Sequence, residues 1–144
     1  MAENYAGRDI RSLPDAVNRL MSDVHVALSA IKPNLLFEFR QWYIGPAIRQ
    51  FGNMMRAADC PGDLQGNRMR IANLRLTAGS SAVHADMLEW HPSDSPEAAV
   101  RPILSAMFGV IQYSMMLRNL PQSHREVIRH WLAFSQKHRD TLLK

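Results

Sequence analysis

Apolar residues recur at three- and four-residue steps through Val17, Leu20, Met21, Val24, Leu28 and Ile31, the repeat of a helix with one apolar face. Ser12, Leu13, Pro14 and Asp15 supply its start: a hydroxyl cap, an early proline and an acid in the first turn. Pro33 ends it. Residues 1–11 show no such period. The pattern then changes to short apolar runs: NLLFEF (34–39), FGNMM (51–55), SSAVHADM (80–87) and VIQYSMML (110–117). Runs of this length and character predict strands covered on both faces. Glu38 is the polar outlier of the first.

Between the runs the helical period returns. Residues 62–79 carry Leu64, Met69, Ile71, Leu74 and Leu76, with Gly66 and Asn73 as poor helix formers among them. Ser95, Pro96 and Glu97 open a further helix with Val100, Ile103, Leu104, Met107 and Phe108 on its apolar side and Pro102 near its first turn. Pro121 opens the last, which turns Val127, Ile128, Trp131, Leu132 and Phe134 inward and ends in Lys137, His138 and Arg139, cations favourable at a helix C-terminus. Strands alternating with helices predict an α/β fold with parallel pairing and right-handed crossovers. Four strands do not close an eight-stranded barrel of about 250 residues. The alternatives are a small open sheet or half of a larger array.

Composition narrows the class. In 144 residues, 47% hydrophobic content is enough for one domain with a core. No apolar stretch approaches the roughly 18 residues of a membrane span, and no charged-apolar-small leader opens the chain. Neither a membrane nor export is expected. Cys60 is the only cysteine, which excludes an intramolecular disulfide and a thiolate-rich zinc site and suits a reducing, cytoplasmic compartment. The net charge of +4 is scattered along the chain without a recognition motif, so no nucleic-acid partner is expected. The nine methionines read as core filler.

Candidate chemistry centres on MMRAADCPGD (54–63). A strand ending there before the Pro-Gly break places Asp59 at its carboxyl end, where parallel sheets and barrels hold their active sites. The plainer reading of Arg56 and Asp59 is a surface ion pair beside a loop. Glu38 and Arg40 share parity and project to one side of their strand, either as an ion pair or as substrate contacts. His84 and Asp86 share parity as well: a histidine binding a hydroxyl with its tautomer set by the aspartate, or a satisfied core histidine. Trp42, Tyr43 and Trp90 follow strands, where an aromatic either packs or stacks on a ligand. His84, Asp86 and His91 lack a known ligand spacing, so no metal is expected. No base for Cys60 as a nucleophile is identifiable.

LLFEFRQWYIGP, NMMRAADCPGD, NRMRIANLRL, AVHADMLEWHP and HREVIRHWLAFSQKHRDTLL resemble, in order, the second half of the catalytic barrel of α-galactosidase-like enzymes of glycoside hydrolase family 36 and its clan. The resemblance spans residues 8–144. It implies a partial (β/α)8 TIM barrel, about four parallel β/α units that match strands five to eight. That family cleaves α-linked sugars with retention, using a nucleophilic aspartate after the fourth strand and an acid/base aspartate after the sixth. Asp59 falls on the acid/base, and the nucleophile is expected upstream of Met1. No cofactor is implied.

Two departures concern the sugar pocket. Phe39, Arg40, Gln41, Trp42 and Tyr43 stand where many members have a cysteine- and glycine-rich stretch, and Arg56 stands where they have tryptophan. The resemblance therefore carries the chemistry rather than an α-galactoside preference. Arg56 is expected to hold sugar hydroxyls or to orient the carboxylate. The expected partners are an oligosaccharide or glycoside substrate and either an upstream half-barrel or a second copy, since a half-barrel leaves strand edges and apolar faces open. The alternative is a non-catalytic carbohydrate-binding or assembly module on the same framework.

Overall fold

The computed structural model describes residues 9–10, 12–40, 45–57, 59 and 62–143. Ser12 caps the first helix, α1 (Leu13–Ile31), by accepting from the Asp15 backbone N–H. There follow β1 (Glu38–Phe39), the single turn α2 (Pro46–Arg49), β2 (Met54–Arg56), α3 (Leu64–Thr77), β3 (Ala82–Leu88), α4 (Pro96–Ala106), β4 (Val110–Tyr113), a 3-10 turn (Leu117–Asn119), α5 (Gln122–Lys137) and α6 (Arg139–Leu143). The fold is α/β, with one four-stranded sheet in the order β1-β2-β3-β4, parallel throughout.

That order has a consequence for the faces. Consecutive parallel strands joined by crossovers of one hand advance in one direction, so the connecting helices gather on one side. Accordingly α3 packs on α4 and α4 on α5. The core lies between them and the sheet: Ile71 of α3, Val83, Ala85 and Leu88 of β3, Ile103 and Ala106 of α4, and Ile128 of α5. Side chains in one row of a parallel ladder share a face. Val83 shares its row with Met55 and Phe39, whereas Glu38 and Met54 belong to the other face together with the row of Arg56, His84 and Val110. The face away from the helices therefore carries the charged groups.

The first predicted strand is shorter than its apolar run. Residues 34–37 lie outside β1 because the Asn53 side chain takes the place of a strand partner, accepting from the Phe37 N–H at 2.9 Å and donating to the Leu35 carbonyl at 3.0 Å. The second is shifted to Met54–Arg56, since Phe51 and Gly52 cap α2 by donating to the Ile48 carbonyl. Gly52 lies against the Phe39 ring, where a Cβ would collide.

The helices form where the period placed them, but their inner faces differ. No residue of α1 is buried, and Val17, Leu20, Val24, Leu28 and Ile31 are all exposed; its ring contact is His25 on Phe37, centroids 4.9 Å apart. In α4 the buried side is Ala99, Pro102, Ile103 and Ala106, and Leu104 is exposed, as is Phe108 just beyond the helix. Helix α3 tolerates Gly66 because Asp63 caps its first turn, accepting from the Gly66 N–H at 2.8 Å. Among the described residues no helix is long and apolar enough to cross a membrane.

Candidate functional site

The charged face converges at the carboxyl ends of β1, β2 and β3. Ladder pairing runs from His84↔Val110 to Met87↔Gln112, so β3 spends one more residue than β4 over that stretch. This is a bulge, which re-aims a side chain and removes a ladder partner. Asp86 sits in it with φ 68°, a left-handed conformation that aspartate tolerates better than most residues. Its side chain is 1% exposed. Asn67 of α3, itself buried, donates to the Ala85 carbonyl at 2.7 Å.

Arg56 ends β2 and links two carboxylates through one atom. Its Nη2 donates to Asp59 Oδ1 at 3.0 Å and stands 2.9 Å from Asp86 Oδ1. The guanidinium side chain is only 9% exposed, the Asp59 side chain 64%. Arg40 Nη2 approaches Asp59 Oδ2 at 3.5 Å from the solvent side. A half-buried charge needs a partner, and here the buried end of the chain is Asp86 and the wet end Asp59.

His84 finds a different carboxylate. Its Nδ1 lies 3.1 Å from Glu38 Oε1, reaching across β2. A carboxylate only accepts, so Nδ1 carries the proton and Nε2 of the neutral ring is left as an acceptor. The pairings by parity are thus exchanged: Glu38 orients His84 rather than pairing with Arg40, and Asp86 holds Arg56 rather than fixing the histidine. The alternation holds through Val83 and Ala85 and breaks before Leu88, so the bulge re-aims Asp86 toward Arg56 on the face it shares with His84.

Trp90 follows β3 and is half-buried. Its indole N–H donates to Nδ1 of the buried His124 at 3.2 Å, and the other ring nitrogen of His124 lies 2.9 Å from the Asp94 carbonyl. Since Trp Nε1 only donates, His124 carries its proton on Nε2. The indole meets Tyr113 edge-on at 6.3 Å and, with Gly62, Glu89, His91 and Met115, borders an open hollow of about 540 Å³. Burial pushes the Tyr113 hydroxyl above the ordinary phenol value. At the N-terminus of α4, hydrogen bonds from its own backbone N–H and from Ser95 hold Glu97 below the ordinary carboxylate range.

Asp59, Arg56, Arg40 and Asp86 thus form one charged chain, and Glu38 with His84 a second pair on the same face. Trp90 stands on the hollow, bonded to α5. Trp42 lies outside the described residues, as do Tyr43 and Cys60. Among the described residues no cluster of three or more His, Cys, Asp or Glu could hold a metal ion. Asn67 and His124 escape sequence reasoning: each is polar on an otherwise ordinary helix face, and only the fold supplies its partner. No family model, curated protein or solved structure matches this chain.

Proposed function

We propose that this chain is part of a retaining α-glycosidase resembling α-galactosidases, with β1 to β4 as strands five to eight of a (β/α)8 barrel and Asp59 as the acid/base. The observation that carries the reading is the position of Asp59, three residues past β2 and bonded to Arg56 at the carboxyl end of an all-parallel sheet. Helices α3, α4 and α5 pack on one side of that sheet. The other face, which would line a barrel, presents Glu38, Arg56 and His84.

In this reading a carboxylate from chain outside the 144 residues attacks the anomeric carbon while Asp59 gives its proton to the leaving oxygen. Asp59 then takes a proton from the water that releases the sugar. Arg56 orients the Asp59 carboxyl, and His84 Nε2, with Nδ1 tied to Glu38, accepts from a sugar hydroxyl. The exposed apolar side of α1 and the outer edges of β1 and β4 favour association with an upstream half-barrel or a second copy. A single cysteine suits a reducing compartment such as the cytoplasm.

Turnover of an aryl α-galactoside tests the proposal, with the chain alone and together with the polypeptide encoded immediately upstream. The expected result is no turnover alone, and hydrolysis with retention by the pair that falls by about 10² to 10⁴ in Asp59→Asn. Enzyme-like rates from the chain alone, or a pair indifferent to Asp59→Asn, overturn it. A second reading, a non-catalytic saccharide-binding or assembly module, takes support from the two guanidinium groups on Asp59. It predicts saccharide binding or association with no turnover in either mixture.

A further inference from the structure

We infer that Asp86 is a positioning residue for Asp59: from within the bulge it neutralises Arg56, so that this arginine orients the Asp59 carboxyl without clamping it in the ionised form. The inference rests on the acid/base reading of Asp59 and addresses a conflict within it. A proton donor needs burial or a nearby negative charge, yet Arg56 Nη2 donates directly to Asp59 Oδ1.

Asp86 removes the conflict by geometry. The same Nη2 touches both carboxylates, at 3.0 and 2.9 Å, so the two oxygens are no farther apart than those contacts laid end to end. That is close to the roughly 5 Å separation of a retaining pair. Asp86 is nevertheless not the second catalytic carboxylate, because its side chain is 1% exposed and cannot meet an anomeric carbon. What remains to it is charge and orientation. Its carboxylate compensates the guanidinium from the buried side, where solvent screens least, and its negative charge also opposes that of Asp59. The fold reserves a strained position for it: a non-glycine residue at φ 68°, with Asn67 bonded to the carbonyl just before it. Among the described residues the same face also carries Arg40, solvent-exposed on Asp59 Oδ2, and the Glu38 and His84 pair.

The test is an NMR titration of the Asp59 carboxyl carbon in the 144-residue chain. In Asp86→Asn the midpoint falls by about one pH unit, the low end of the effect of an uncompensated cation at a few ångströms because Asp59 is exposed. A purely structural Asp86 lowers stability and leaves the midpoint in place, which overturns the inference. Asp86→Asn removes the buried partner of Arg56, leaving it the exposed Asp59, and can fail to fold, so a second variant keeps the pair neutral. In Arg56→Gln/Asp86→Asn the midpoint stays within about half a unit of the parent; a rise of about one unit or more means that Arg56 was not compensated, and the inference fails. The titration needs no turnover. Expected midpoints with an inactive assembled pair reject the acid/base reading alone, and unmoved midpoints with an active pair reject this inference alone.

Discussion

Trp90 donates its indole N–H to Nδ1 of His124 across 3.2 Å, tying the segment after β3 to the first turn of α5. The ring is buried, and its other nitrogen is bonded to the Asp94 carbonyl. His124→Ala removes both bonds and leaves a void, so it is expected to lower unfolding free energy by about 2 to 4 kcal/mol. Urea unfolding measures the loss, and near-ultraviolet circular dichroism should show the indole released. A loss below about 0.5 kcal/mol, the range of ordinary surface changes, would sink the idea of a lock.

Tyr113 sets the alkaline limit on β4. Burial raises its folded-state value above the ordinary phenol value of 10.0, so the folded state holds this proton more tightly than the unfolded chain. The associated stability is complete below the ordinary value and disappears as pH rises through the raised one. Absorbance at the phenolate band should show a step above the ordinary phenol value. Tyr113→Phe should abolish the late step.

Glu97 works in the opposite direction. Its value is lowered, so its contribution to α4 is present above the ordinary carboxylate range and is lost as pH falls through the lowered value. Glu97→Gln should lower stability at neutral and alkaline pH, where the ionised carboxylate contributes, and leave it nearly as in the parent at acid pH, so that folding becomes less sensitive to acid. Melting curves across that range decide it.

Gly66 offers a case in which two effects of similar size oppose each other. Alanine in place of glycine inside a helix ordinarily gains about 1 kcal/mol. Here the added Cβ would run into the Asp63 carboxylate, displacing a cap that is worth about 1 kcal/mol itself. Gly66→Ala is therefore expected to leave stability nearly unchanged, whereas Gly66→Ala in an Asp63→Ala background should stabilise. Equal effects in the two backgrounds would show that the cap is undisturbed.

Leu20 lies on the uncovered apolar side of α1. Leu20→Lys removes apolar surface without disturbing a core, so melting should shift by no more than about 0.5 kcal/mol in stability. Sedimentation should show weaker self-association, or weaker capture of the upstream polypeptide. A large loss of stability would mean that this face is buried within the chain itself.

Local chemistry made the helices legible. Ser12 and Ser95 each accept from a backbone N–H three residues on, and a hydroxyl before a proline announces that arrangement without knowledge of the fold. Strand limits were less accessible. The 34–39 run contains a two-residue strand because Asn53, nineteen positions after its start, supplies the competing hydrogen bonds. Asp59 and Arg56 could be singled out from an apolar run that stops at a turn. Asp86 could be singled out too, but with His84 as its partner; that it meets Arg56 instead was not legible, since a bulge has no apolar period and Asp86 reads as one more alternate residue of β3.

The order of residues alone determined the caps, the alternation of strand and helix and hence the parallel sheet, because these follow from interactions within a few positions. Tertiary structure alone decided which carboxylate meets which partner. Glu38 reaches His84 and Asp86 reaches Arg56 only because β1, β2 and β3 lie side by side and one extra residue turns the end of β3. Coulomb energy depends on separation in space, and neither the two-residue period nor the distance along the chain reports it.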